Sequence, residues 1–317
     1  MTWFISSYLK QYTDYRVILL LYHFAMGQYS IKELEKLSGI KAHTIRIWEK
    51  RHRIIEPSRT TTNIRFYSDE DLKKIINVSL LNNSGVKISR IAEMDTHELT
   101  HKIQELTSHS TEYQVQIDAL VLAMINLEEE KFEKALSGMI LRFGFEQTVV
   151  DILYPFLDKI GILWQTNQIT PAQEHFISNL VRQKMMVAID GLELPSKESR
   201  KAVLFLPENE LHEIGLLFHY YLAKKNGIRT YYLGQMVPFK DLKQVCKIHQ
   251  PDYLITSFIS PQKADSLEDY VKKLSKEFSE TLILISGTSS NLIQKDKHKN
   301  IRIFGKALEI KELLKIK

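Results

Sequence analysis

The chain has 317 residues, 44% hydrophobic and 26% charged, which is ordinary for a globular protein and enough for two or three domains. Its single cysteine, Cys246, excludes an internal disulfide framework and any multi-cysteine zinc site, and its setting in the amphipathic stretch DLKQVCKIHQ predicts a buried thiol. The net charge of +5 is concentrated between Lys41 and Tyr67, where seven Lys and Arg meet two Glu, so the remainder is near neutral. Such a cluster is the footprint of a phosphate-backbone binder, although by itself it also fits a solvated face.

In chain order, residues 1–28 read as an N-terminal extension. Val17–Ala25 (VILLLYHFA) is apolar but shorter than the roughly 20 residues of a membrane span. Tyr22, His23 and the lack of a small-residue cleavage site fit a secretory signal poorly. An extra helix, or a start upstream of a true start at Met26, is the simpler reading.

In SIKELEKLSGI, Ser30 and Glu33 form an S-x-x-E capping box, Leu34 and Leu37 supply the apolar face and Gly39 ends the helix. AHTIRIWEKRH restarts a helix that Pro57 is expected to stop. Two short helices about a Gly-containing turn are a helix-turn-helix signature. SRTTTNIRFYS reads as a small hairpin; Ser68-Asp69-Glu70 caps the next helix, Gly85 ends it and KISRIAEM starts another.

From about Glu98 to Ile189 four segments carry apolar residues at three- and four-residue steps, which predicts a four-helix bundle over residues 105–192. From Lys201 the runs KAVLFL, IRTYYLG, DYLITSFI, TLILIS and NIRIFG alternate with helical segments. That alternation predicts a doubly wound parallel sheet over residues 200–317, with ligands held at the carboxyl ends of the strands.

The helix from about Lys41 to Arg51 is the candidate for the major groove. His43, Thr44 and Arg46 are the expected base or phosphate contacts, with Ile45 and Trp48 packing inward. The hairpin offers Arg59, Thr60, Asn63, Arg65 and Tyr67 for phosphates. The order Arg46, Trp48-Glu49, Pro57, Arg59, Arg65-Phe66-Tyr67 resembles the winged-helix DNA-binding domain of the MerR family over about Tyr29 to Met94, which implies a domain at residues 29–97. Asn63 stands where a wing glycine is common, and Asn tolerates positive φ. The resemblance implies dimeric binding to double-stranded DNA.

FLPENELHEIGLLF follows the first strand of the α/β region and contains Glu210-x-His212-x-x-Gly215. A loop histidine there can present a ring nitrogen into the crevice, Glu210 can orient its other nitrogen, and Gly215 lets backbone pass close to a large planar ligand. The pattern resembles the D-x-H-x-x-G motif of cobalamin-binding domains, with Glu for Asp. That resemblance implies His212 as lower axial ligand to cobalt, with Ser257 and the Ser286-Gly287-Thr288 turn near the nucleotide tail. In the helical region, Trp164 and Glu174-His175 form W-x9-E-H. An indole can cover a flat macrocycle and a carboxylate can accept from ribose hydroxyls; the same residues also fit a core Trp and a capped helix. The motif resembles the adenosylcobalamin-binding bundle of CarH/LitR-like light-sensing repressors, which join the same three parts in the same order. By that resemblance, Trp164, Glu174 and His175 face the adenosyl group. Light-responsive members commonly carry His after that Trp; here the residue is Gln165.

The expectation is therefore a multidomain, cytoplasmic, non-enzymatic DNA-binding regulator. It combines a mainly-α winged helix-turn-helix, a four-helix bundle and an α/β Rossmann-like (flavodoxin-like) cobalamin-binding domain. Adenosylcobalamin is the expected light or cofactor sensor, and a dimer or tetramer the expected assembly. The alternatives are a MerR-type regulator controlled by a protein partner and, further off, a corrinoid-dependent enzyme component.

Overall fold

A computed structural model describes residues 29–315, apart from 61–62, 96–97, 100, 104–112, 166–168, 261–262 and 295–296. The expected N-terminal extension, 1–28, lies outside the described residues. The chain divides into two compact units, Met1–Ile177 and Ser178–Lys317.

The first unit opens with helix α1 (Ile31–Ser38). Ser30 and Glu33 form the expected reciprocal capping box, and Gly39 ends the helix at φ 73°, a left-handed conformation that glycine adopts without a Cβ penalty. Helix α2 (Ala42–His52) buries Ile45 and Trp48, as their spacing predicts. It spans the expected stretch, but Pro57 is not what stops it: Arg53, at φ 50°, turns the chain four residues earlier. Strands β1 (Ser58–Arg59) and β2 (Arg65–Phe66) pair antiparallel as the hairpin. Asn63 sits in it at φ 64°, the conformation its side chain tolerates. Helix α3 (Asp69–Asn83), capped by Ser68 and Asp71, and the short α4 (Ile88–Ala92) complete the head, packed on Tyr29, Leu34, Leu72 and Ile75.

The helical region follows as α5 (Tyr113–Ile125), α6 (Glu129–Phe143), α7 (Phe145–Thr148), α8 (Tyr154–Gln165) and α9 (Pro171–Asp190). Five residues of π-helix, Val149–Leu153, join α7 to α8; nothing in the apolar spacing signals this widened turn. Phe132, Leu136, Ile152, Phe156 and Leu163 fill the core between these helices. One polar link ties this core to the head. The Lys159 ammonium on α8 donates to the Asp118 carboxylate of α5 at 2.6 Å and to the Leu37 carbonyl in the last turn of α1 at 3.1 Å.

The second unit is built on five parallel strands: β3 (Lys201–Pro207), β4 (Arg229–Val237), β5 (Tyr253–Ser257), β6 (Leu282–Ser286) and β7 (Ile301–Ile303). Between them lie α10 (Ile214–Lys225), α11 (Phe239–His249) and α12 (Ala264–Glu277). Val203, Phe205, Leu254, Ile283 and Ile285 pack against Leu242, Cys246, Leu267, Val271 and Leu274 of α11 and α12. The alternate strand residues, Leu204, Ile255 and Leu284, are equally buried, as both faces of a covered parallel sheet require. Cys246 is buried, as its stretch predicts, and burial pushes its thiol up to about 12. The strand order is β4-β3-β5-β6-β7, so the winding reverses between β3 and β5. Ligands bind in the crevice beyond the carboxyl ends of strands at such a reversal.

Candidate functional site

The loops leaving β3 and β5 meet at that reversal, and Glu210 joins them. Its carboxylate is fully buried and accepts from the N–H groups of Ile259 and Ser260 after β5, both at 2.8 Å, and from the Ser260 hydroxyl at 3.0 Å. Within its own loop it accepts from the N–H groups of Leu211 and His212 and bonds His212 Nδ1 at 2.7 Å. Burial alone pushes this carboxyl up; the hydrogen bonds from His212, Ser260 and Ile259 outweigh it and hold Glu210 at about 2. An ionised carboxylate only accepts, so Nδ1 of His212 is the nitrogen that donates to it, and Nε2 is the ring nitrogen on the side away from Glu210. The imidazole is 58% exposed while its anchor is inaccessible.

The next residue extends the brace. Glu213 accepts from Arg182 Nε of α9 at 2.5 Å and from the Tyr232 hydroxyl of β4 at 2.8 Å. The loop is thus held on both sides of His212. Apart from its chain neighbours and its own helix backbone, no atom of the described residues lies within 4 Å of where a Cβ would stand at Gly215, which leaves open backbone on the helix that follows. Gly287 sits at φ 100°, and a Cβ there would lie 2.3 Å from the Phe258 carbonyl oxygen. Only glycine lets the β6 turn lie flat against the β5 loop. Ser257 is buried and accepts from the Ser286 hydroxyl at 3.1 Å, and the Thr288 and Ser289 hydroxyls donate to the Ile259 and Ser260 carbonyls. One network therefore runs from the imidazole through Glu210 to the β6 turn. These residues fit a cobalt-centred macrocycle: an exposed imidazole held through one ring nitrogen, a buried acid that orients it, and open backbone at Gly215.

Sequence reasoning named Glu210, His212, Gly215, Ser257 and Gly287 but missed Ser260, Glu213 and Arg182. Ser260 lies 48 residues beyond His212, and only the β3–β5 pairing brings them together. In the helical region Trp164 is half exposed near the end of α8. Glu174 and His175, in the first turn of α9, pair at 2.7 Å. The Gln165 side chain lies outside the described residues.

In the head, His43 and Arg46 are exposed on α2 and Thr44 is half-buried. Arg59, Thr60 and Asn63 are exposed on the hairpin, where Arg59 donates to the Asn63 side chain at 2.8 Å. Arg65 is partly exposed and paired to Glu49 at 3.3 Å. Tyr67 requires a correction. It is 0% exposed, its backbone bridges Tyr29, and its hydroxyl donates to Glu49 at 3.3 Å. Burial, then the neighbouring Glu49 charge, pushes its phenol up to about 12. Tyr67 holds the hairpin to the head and does not reach a phosphate.

Residues 29–98 match the family model for the MerR HTH family regulatory protein, and residues 116–188 match that for the B12 binding domain. The protein is thus a MerR-type transcriptional regulator: a DNA-binding helix-turn-helix head joined to a B12-binding domain. Two relatives align with the chain over most of their length. The chain is 26% identical to the HTH-type transcriptional repressor CarH of Myxococcus xanthus over 252 residues, covering 78% of this chain and 84% of that protein. It is 28% identical to the repressor CarA of the same organism over 256 residues, covering 76% and 82%. Both are transcriptional repressors. The fold of the monomethylamine corrinoid protein of Methanosarcina barkeri covers 64% of this chain and 98% of that one, at TM-score 0.52 and 17% identity. Among the described residues no helix is long and apolar enough to cross a membrane.

Proposed function

We propose that this regulator acts in the cytoplasm as a repressor whose self-association, and through it DNA binding, is set by adenosylcobalamin. The observation that carries the reading is the buried Glu210 holding His212 at the sheet's reversal point, in a chain that also carries a DNA-binding head. When bound, adenosylcobalamin supplies a cobalt–carbon bond that visible light cleaves. His212 would hold the cobalt, with Glu210 and Ser260 keeping the proton on Nδ1. Ser257 and the Gly287 turn would line the nucleotide tail. Trp164, Glu174 and His175 would contact the adenosyl group. Several heads joined in one dimer or tetramer bind an operator duplex more tightly than one, through effective concentration. His43, Thr44 and Arg46 would meet base edges or phosphates, and Arg59, Thr60, Asn63 and Arg65 phosphates.

Gln165 favours a second reading, in which the signal is the presence of the cofactor and not light. The test is a visible spectrum of the dark-purified chain with adenosylcobalamin, before and after green light, with His212→Ala alongside. A bound spectrum that light and His212→Ala both alter supports the photosensor. Binding without a light response supports the cofactor sensor, and an unchanged cobalamin spectrum overturns both.

A further inference from the structure

The outward face of α2 holds one residue that the phosphate-binding reading does not use. Ile45 and Trp48 fix which side of the helix faces the core. At 100° per residue the opposite side is centred on His43, Ile47 and Lys50, flanked by Arg46 and Arg51. His43, Arg46, Lys50 and Arg51 carry or can carry positive charge, and each is exposed. Ile47 stands in their middle, one turn after His43 and one turn before Lys50 and Arg51, and is 44% exposed. A β-branched apolar side chain gains nothing from phosphate or from water there. The base edges of the major groove offer one apolar partner, the C5-methyl group of thymine, which only T·A and A·T pairs present. The surrounding cations supply the reason this face meets DNA at all, because they neutralise the phosphates that line the groove.

We infer that Ile47 is a specificity-determining residue that reads one thymine methyl at each copy of the recognition helix. This rests on the DNA-binding role of the head and is independent of which cobalamin state binds DNA. Covering one methyl group is worth about fourfold in affinity per contact. Ile64, also exposed but on the hairpin, provides an internal control.

The experiment selects duplexes from a random library with the full chain, using whichever cobalamin condition gives the tighter complex. Each thymine of the consensus is then replaced in turn by uracil, which removes only the methyl group, and affinity is read by fluorescence anisotropy. The expected result is one thymine under each recognition helix whose replacement weakens binding about fourfold. Ile47→Ala should weaken the parent duplex by the same factor and lose sensitivity at that thymine alone. Ile64→Ala should keep it. Selection with Ile47→Ala should relax the consensus there. Thermal melting checks that the variants fold as the parent does. A consensus indifferent to uracil, or an Ile47→Ala chain still sensitive to it, overturns the assignment. A chain that selects no sequence in any condition overturns the DNA-binding reading instead.

Discussion

Removing the Lys159 ammonium should weaken the first unit by several kcal/mol. The Asp118 carboxylate it contacts is 2% exposed and Lys159 itself 16%, so the pair is shielded from solvent. Gln114 Nε2 donates to the same carboxylate oxygen at 2.8 Å and cannot replace a charge. In Lys159→Met the carboxylate loses its counter-charge and the Leu37 carbonyl loses a donor. Breaking a buried pair from one side costs about 3–5 kcal/mol. For a unit of this size that lowers Tm by on the order of 10 °C. Burial already pushes the Asp118 carboxyl up against the pull of Lys159, so without the lysine it takes a proton more readily. The loss should therefore shrink as the pH falls from 7 toward 5. Asp118→Leu combined with Lys159→Met should recover most of the stability, because no charge is then stranded. Calorimetry of the three variants across that pH range decides it. A Lys159→Met chain that melts within a degree of the parent, or a double variant as unstable as the single, would refute the reasoning.

Four further outcomes follow from the geometry. Gly287→Ala places a Cβ against the Phe258 carbonyl oxygen at a positive φ, and should cost the second unit about 3 kcal/mol or more in urea denaturation. Glu210→Ala should weaken cobalamin binding about 10- to 100-fold in spectral titration by releasing the His212 tautomer, with Ser260→Ala smaller in the same direction. His219 is buried beside Phe304, its Nδ1 meets no partner among the described residues, and burial lowers it from 6.5 to about 4. The unfolded chain takes the proton first, so stability should fall as pH drops from 6.5 through 4, by about 3 kcal/mol in full, and His219→Phe should flatten that slope in calorimetry. Arg59→Ala should lower the salt dependence of DNA binding by about one unit of slope, whereas Tyr67→Phe should leave it unchanged and lower the melting temperature instead.

Much of this molecule is local and therefore legible from the chain. The Ser30–Glu33 box, Gly39, the positive φ at Asn63 and the inward pair Ile45 and Trp48 each depend on neighbours within one or two helical turns. The five strands follow from apolar runs between turn residues, and Glu210-x-His212 lies within a single loop. The rest depends on residues far apart in sequence meeting in space. Tyr67 reads as a hairpin contact for DNA until the bridge to Tyr29 shows it sealed inward. Ser260 joins His212 only because β5 lies beside β3, and Arg182 braces Glu213 from a different helix. Lys159 reaches Leu37 across 122 positions. Short-range periodicity and capping set which elements form, because their hydrogen bonds close within a few residues. Which buried charge meets which partner is settled only when desolvation makes an unpaired buried charge costly, and that is a property of the packed tertiary structure.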